Sequence, residues 1–404
     1  MPANNNKAPS ASSKRRSIRF VFYFLSFMLI VGVLVGCSSS PYQPLSPQLT
    51  SKKQNESKED LGDDGKPLPA PIRQEHSQWI PVPWSSLPGF DQDRLHEAWN
   101  AWLKSCQKPV PLIGDLCLDV RRLSISDGLE QRKWIVSRFQ AYKVENLSSN
   151  AVGMLTAYYE PELKAHREAS DTFSIPLYGV PYGVKAGSLW HTREAMETNT
   201  GAMEQLKGHE IVYVADAVDA LILQIQGSGR VEVTEPDGTI HWIRLAFAAT
   251  NNQPYQSVTR WLLDNTEWRE FSWPGIKKWA SNNQNRVREM LWSNPRVVFF
   301  REEPLSNSDD HNGPRGAEGV SLTPGRSIAV DPKSIPYGTP VWLVSEGSNV
   351  KLRKLVMAQD TGSAIVGAVR ADYFAGSGSE AGEFAGRIKQ DLQLWVLWPN
   401  NKQP

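Results

Sequence analysis

Apolar positions along the chain change texture three times. The first texture is a solid block, Phe20 to Val35, broken only by Ser26 and Gly32 and preceded by Lys14, Arg15, Arg16 and Arg19. From Ser38 to about Arg73 apolar residues almost vanish, and Ser, Pro, Gln, Lys, Glu and Asp take over. Such a stretch buries too little surface to offset its ordering entropy, so it reads as a flexible tether. Folding starts near Trp79. Between Asp91 and Cys106, Leu95, Ala98, Trp99, Trp102 and Leu103 fall on one helical face behind an Asp cap. Asp127 to Tyr142 repeats the pattern with Leu129, Ile135, Phe139 and Tyr142.

Beyond these helices the period shortens. Leu155–Tyr159, Leu221–Gln226, Val231–Val233 and Thr239–Ile243 predict strands, with Glu235-Pro-Asp-Gly238 as a hairpin turn. Shorter helices are expected at Ser257–Leu263 and Asn285–Trp292, the second stopped by Asn294-Pro295. Val297–Phe300 predicts a further strand and Ser306–Gly319 a long polar loop. Short β segments follow around Ile328, Val341, Leu355 and Leu394. No internal repeat occurs. The pattern predicts a mainly β chain with peripheral helices.

Composition narrows the classes. The 404 residues are 40% hydrophobic and 22% charged, ample for a core, and a single long apolar run excludes a polytopic membrane protein. The 44 basic and 43 acidic residues leave a net charge of +1, so no nucleic-acid partner is expected. Trp is abundant at 15 copies. Extra Trp fills cores, and its flat faces also line sugar-binding clefts. Composition leaves both uses open.

The basic N-terminus and the marginal length of the first apolar block match a secretory signal better than a spanning helix. The block ends Leu34-Val35-Gly36-Cys37 and continues Ser38-Ser39-Ser40, which resembles a bacterial lipoprotein signal. The resemblance implies a mature chain starting at lipidated Cys37, and Ser after the Cys implies an outer-membrane lipoprotein on the periplasmic face. Three acyl chains give durable anchoring where one binds marginally. Export leaves Cys106 and Cys117 as an even pair, either bridged or two buried free thiols. No CxxC or HExxH spacing exists among the cysteines and seven histidines, so neither metal nor cofactor is expected.

Three aspartates near the C-terminus sit in Gly/Pro-punctuated settings: Asp331, Asp360 at the end of the apolar segment Leu355-Val-Met-Ala-Gln, and Asp372. An Asp held rigidly at a strand end, with Thr361 and Gly362 leaving room beside it, can face a ligand. Apolar surroundings disfavour its ionised form and suit a general acid. The plainer reading of each is a cap or turn residue.

Five ordered segments add to this: Thr156-Ala-Tyr-Tyr-Glu-Pro161, Leu223-Gln-Ile-Gln-Gly-Ser-Gly-Arg230, Val298-Phe-Phe-Arg-Glu302, Leu322-Thr-Pro-Gly-Arg-Ser-Ile-Ala-Val-Asp331 and Ala358-Gln-Asp-Thr-Gly362. Together, over Val152 to Trp398, they resemble the membrane-bound lytic murein transglycosylase A family, with a C-terminal three-aspartate (3D) domain from about Gly319. Ala157 departs from the pattern, where Gly is expected. The resemblance implies a double-ψ β-barrel with peripheral helices, a second inserted β-barrel, and a groove between them. The corresponding division is 1–36 signal, 37–73 tether, 74–162 N-terminal part of the barrel domain, 163–295 inserted barrel and 296–404 C-terminal barrel part.

The implied activity is that of a peptidoglycan lytic exotransglycosylase, cutting the β-1,4 bond from N-acetylmuramic acid to N-acetylglucosamine and leaving 1,6-anhydromuramic ends. Asp360 matches the catalytic position, with Asp331 and Asp372 supporting it. Tyr158, Tyr159, Gln224, Gln226, Ser228, Thr361 and Gly362 are the substrate-binding candidates, with Gln224 and Gln226 on one strand face. The two Tyr read equally well as core. The expected partners are glycan strands, the outer membrane through lipid, and cell-wall synthesis proteins; the chain is expected to be a monomer. Two other readings compete. A non-catalytic peptidoglycan-binding lipoprotein fits the fold but not the presence of Asp360. An aspartic peptidase needs a second Asp-Thr/Ser-Gly, and none exists.

Lipidation is directly testable. Cys37→Ser should leave the precursor unprocessed and free of palmitate label; normal labelling of that variant would remove the lipid anchor from this picture.

Overall fold

The computed structural model describes residues 67–305, 312–348 and 350–401. The signal, Cys37, most of the tether and residues 306–311 lie outside that range. Among the described residues no helix is long and apolar enough to cross a membrane.

The first part of the chain builds one side of a barrel. After β1 (Ile72–Arg73) and β2 (Gln78–Pro81) come α1 (Leu95–Ser105), α2 (Cys117–Arg122) and α3 (Gly128–Arg138), then β3 (Phe139–Glu145) and β4 (Gly153–Glu160). Two expectations shift here. Helix α1 carries no side-chain cap; the Asp93 carboxylate instead accepts from Arg326 at 2.7 and 2.9 Å and from the Leu355 N–H at 2.9 Å. Helix α3 is capped by Asp127 and ends at Arg138, so Phe139 and Tyr142 lie on a strand. There, pairing of β3 with a C-terminal strand overrides the helical spacing.

A long excursion follows: β5 (Glu162–His166), β6 (Ile175–Tyr178), α4 (Arg193–Thr198), α5 (Thr200–Leu206), β7 (Glu210–Val214), α6 (Ala217–Gln226), β8 (Gly229–Thr234), β9 (Ile240–Thr250), α7 (Val258–Asn265), α8 (Trp273–Asn282), α9 (Val287–Trp292) and β10 (Val298–Pro304). Its six strands form one sheet in the order β10-β9-β8-β5-β7-β6, and the outer strands β6 and β10 come back toward each other. Helix α6 replaces the strand predicted at Leu221–Gln226. A short apolar run does not distinguish a strand from a buried helix, and here the ends decide. The Asp216 carboxylate accepts from the Val218 and Asp219 N–H groups, and Gly227 closes the helix at φ +84°.

The chain then completes the barrel with β11 (Ser327–Val330), β12 (Pro340–Glu346), β13 (Lys351–Asp360), β14 (Arg370–Ser377), α10 (Gly378–Gly386) and β15 (Lys389–Pro399). The ring β15-β12-β13-β11-β14-β4 closes through the β15–β4 pairing; β11–β13 and β14–β4 are parallel, the mixed pairing of a double-ψ barrel. Alternation on β12 explains its all-apolar sequence. Val341 and Leu343 face the barrel interior with Leu155, Ile328, Val356 and Leu394, while Trp342 and Val344 pack outward against the helices. That outer layer holds Trp84, Trp99, Trp102, Trp134, Trp342 and Trp395, so much of the Trp excess is core. Cys106 and Cys117 are bonded within it, tying the end of α1 to the start of α2.

One carboxylate joins the two halves. Glu160, the last residue of β4, is fully buried. It accepts from Arg230 Nε at 3.0 Å and Arg244 Nε at 2.6 Å, on β8 and β9, and from the Ser377 hydroxyl at 2.9 Å, on β14. Removing one partner of a buried ion pair strands the other charges away from water. Glu160→Ala should therefore cost about 3–5 kcal/mol, read by chemical denaturation. A loss below ~1 kcal/mol, the scale of an exposed pair, would contradict this account of the junction.

Candidate active site

The β13 sequence is apolar and buried from Leu355 to Ala358, then turns polar at Gln359 and Asp360. Gln359 anchors the strand end. Its Nε2 donates to the Ala101 carbonyl and the Ser105 hydroxyl, both at 2.8 Å, and its Oε1 accepts from the Ser327 hydroxyl at 2.5 Å. Asp360 is thus presented from a strand fixed on both faces. Its Oδ2 accepts from the Tyr158 hydroxyl at 2.8 Å and its Oδ1 from the Ala317 N–H at 3.0 Å. Burial pushes the Asp360 pKa above the usual carboxylate range, and the bonds from Tyr158, Thr361 N–H and Ala317 N–H only partly oppose it. Tyr158 is raised well above its ordinary value by burial and by Asp360, so it remains a donor. Its ring packs on Phe374 with centroids 5.3 Å apart.

Asp372 lies on β14 directly opposite Thr156 of β4, and accepts from the Thr156 hydroxyl at 2.5 Å. Arg370 Nη2 donates to the same hydroxyl at 2.8 Å. Burial raises the Asp372 pKa; Thr156 and Arg370 oppose the rise, and the nearby Asp360 adds to it. Asp331 differs. It accepts from His76 Nδ1 at 2.7 Å, Gly367 N–H at 2.8 Å and Lys333 N–H at 3.0 Å. Burial alone raises its pKa, but these donors outweigh burial and hold it below the usual range. The structure therefore brings Asp360 and Asp372 into one cleft and leaves Asp331 behind the loop that follows Asp360.

Two adjoining clefts of about 320 and 280 Å³ share Ile225, Gln226, Thr361, Gly362, Ile365 and Asp372. They form a single groove, walled by β4, β13 and β14 on one side and by α6, β9 and α8 on the other. Tyr158, Tyr159 and Gln226 line the first cleft; the Tyr159 N–H donates to Gln226 Oε1 at 3.0 Å. Gln224 lines the second, but its Oε1 is held by Arg193 Nη2 at 2.6 Å. Because α6 is a helix, the two glutamines make these different contacts rather than sharing a strand face. Ser228 is buried and lines neither cleft, since it follows the helix-closing Gly227 and leads into β8. The Thr361 hydroxyl donates to the Val330 carbonyl at 2.9 Å, which fixes the turn carrying Gly362. Sequence reading missed the Ala317 N–H, a backbone group that no side-chain motif reveals. It also missed Trp273 in the first cleft and Phe247 and Tyr255 in the second, the latter two 49% and 40% exposed. The aromatic excess was their signal. Among the described residues no group of His, Cys, Asp and Glu could hold a metal ion.

The arrangement places a buried carboxyl, its pKa raised, at the floor of a groove formed by two adjoining clefts. Comparisons with known proteins give the family of the chain. Residues 154–301 match the MltA specific insert domain and residues 326–398 the 3D domain. The chain is 31% identical over 258 residues to membrane-bound lytic murein transglycosylase A of Vibrio cholerae serotype O1, covering 61% of this chain and 66% of that protein. It is also similar to two solved structures. Lytic transglycosylase LtgG of Burkholderia pseudomallei shows 40% identity and a TM-score of 0.56, over 82% of this chain and 100% of that one. MltA from Neisseria gonorrhoeae shows 27% identity and a TM-score of 0.69, over 84% and 97%.

The Tyr158 bond favours the charged form of Asp360, so Tyr158→Phe should raise the Asp360 pKa further. Carboxyl-carbon NMR titration reads it. An unchanged or lower midpoint would show that the phenol does not bond the carboxylate in solution.

Proposed function

The chain belongs to the membrane-bound lytic murein transglycosylase A family, and on that premise we propose that it cleaves the β-1,4 bond between N-acetylmuramic acid and N-acetylglucosamine in peptidoglycan, with Asp360 as its sole acid and base. The observation that carries the mechanism is the desolvated Asp360 carboxyl, oriented by two donors at the floor of the groove. Its burial favours the protonated form, which a general acid requires.

The reaction balances on this one group. The Asp360 carboxyl gives its proton to the glycosidic oxygen as the bond from that oxygen to C1 breaks. The muramic C6 hydroxyl attacks the same C1, and its proton passes to the Asp360 carboxylate. The products are a free 4-hydroxyl and a 1,6-anhydro end, with Asp360 restored to its acid form. Most glycosidases need a second carboxylate to activate water or form a covalent intermediate. An intramolecular hydroxyl has a high effective molarity, so that carboxylate is dispensable.

The other residues serve position. Tyr158 and the Ala317 N–H stabilise the carboxylate that forms after proton transfer. Burial shifts Asp372 toward its protonated form, which lessens repulsion of the Asp360 carboxylate. Asp331 grips Gly367 and so braces the loop after Asp360. Tyr159, Gln226, Trp273, Phe247 and Tyr255 offer amide and aromatic surface to the sugars. Lipid on Cys37 holds the chain as a monomer at the inner face of the outer membrane, in reach of the wall; the Vibrio relative is itself named membrane-bound.

Digestion of purified sacculi with mass analysis of the products tests the reading. Anhydro ends are expected; reducing ends or intact glycan would overturn it. Asp360→Asn should lose at least ~10³–10⁴-fold in turnover while remaining folded. Asp372→Asn and Asp331→Asn should lose less activity and more stability. Equal inactivation of a well-folded Asp372→Asn would demand a two-carboxylate mechanism instead.

A further inference from the structure

The loop from Gly313 to Leu322 supplies the Ala317 donor to Asp360, and the next residue holds that loop down by different means. The Glu318 N–H donates to the Gln359 carbonyl at 3.0 Å. Its side chain is only 6% exposed and points back toward α1, where Oε2 accepts from the Ser105 hydroxyl at 2.8 Å. Oε1 is buried with no hydrogen-bond partner. The Gln359 amide bonds the same Ser105 hydroxyl, so one small network fixes the strand end under Asp360 and the loop above it.

The charged groups around Glu318 do not neutralise it. Lys104 of α1 donates to the Leu322 carbonyl, Lys108 lies beside Gly319, and Arg315 donates to the Gly319 carbonyl. On β13 the carboxyl facing this loop is Asp360, bonded to the Ala317 N–H. The turn before β12 offers only Gly338, where an added Cβ would sit 3.0 Å from Oε1; Val110 and Ile113 close the same wall. Among the described residues no ion pair reaches Glu318.

We propose that Glu318 is a positioning residue that locks the Ala317 donor onto Asp360 while its own carboxyl is neutral and releases it on ionisation, a coupling that rests on the acid–base role given to Asp360 above. A buried carboxylate with one oxygen unpartnered is costly, and water reaches it only if the loop lifts from α1. Lifting withdraws the Ala317 N–H from Asp360 and the Glu318 N–H from Gln359. Burial pushes the Glu318 pKa up to about 7, against the bond from Ser105, so the release falls near neutral pH. The sign follows. An acid raised in the folded state loses stability as pH rises from its unfolded value, and the loss is complete above the folded one.

The test compares wild type with Glu318→Gln as full-length protein in detergent, at pH 6 and pH 8. One readout is the hydrogen-exchange protection of the segment 313–322, the other turnover of sacculi. Wild-type protection should fall on the order of tenfold between these values, following the excess of ionised form one unit above the midpoint. Glu318→Gln should keep its protection, and the turnover of wild type relative to Glu318→Gln should fall in parallel. Ser105→Ala removes a bond that favours the ionised form and should move the fall to higher pH; this decides the matter if Glu318→Gln does not fold. Matching pH dependence of wild type and Glu318→Gln in the protection readout, or a fall that Ser105→Ala moves downward, overturns the proposal. A protection change without turnover at any pH supports the loop coupling and counts against the transglycosylase reading alone.

Discussion

The groove exists because Glu160 holds two sheets at fixed separation. Each sheet has its own apolar core, so neither needs the other to fold its strands. What sets their relative placement is a fully buried carboxylate at the end of β4, shared by guanidinium groups on β8 and β9. Buried charges are expensive, and their attraction compensates only in excellent geometry. Here the geometry includes the Ser377 hydroxyl on Glu160, and both arginines reach the Asn312 carbonyl. Hydrophobic contact could join two domains in several ways. Directional bonds to one carboxylate admit few, and that specificity keeps the facing walls in register.

The aspartates illustrate how neighbours decide the use of one side chain. Asp331 and Asp360 are both withdrawn from water. Asp331 receives three donors, which hold it ionised and make it an anchor for Gly367. Asp360 also receives three, one phenol and two backbone N–H groups, yet burial prevails over them. Asp372 behaves as Asp360 does, with burial again ahead. The same residue type is held ionised or pushed toward its neutral acid according to whether the N–H and O–H groups aimed at it outweigh its burial.

Much of the barrel was legible in the sequence because its strands are short apolar runs between Gly/Pro turns. The strand at Leu355–Ala358, the polar turn after it and the position of Asp360 could be read from residues alone. Helix α6 could not: Leu221-Ile-Leu-Gln-Ile-Gln suits either state, and only Asp216 and Gly227 at its ends settled it. Tyr142 was misread for the opposite reason, since its helical spacing was genuine but partner strands prevailed. β14 and α10 escaped notice because Ala, Gly and Ser carry little periodic signal. In the site, side-chain positions were accessible, whereas the Ala317 donor and the capture of Gln224 by Arg193 depend on tertiary approach.

The barrel ring has a consequence for biogenesis. Tyr158 and Asp360 are 202 residues apart in sequence, and among the described residues β4 pairs only with β14 and β15. Contacts of such separation form late, because the intervening chain must be gathered before they yield any gain. While the polypeptide emerges from its N-terminus, β4 waits without its partner strands and the phenol without its carboxylate. The Tyr158–Asp360 contact therefore waits on strands more than 200 residues downstream of β4.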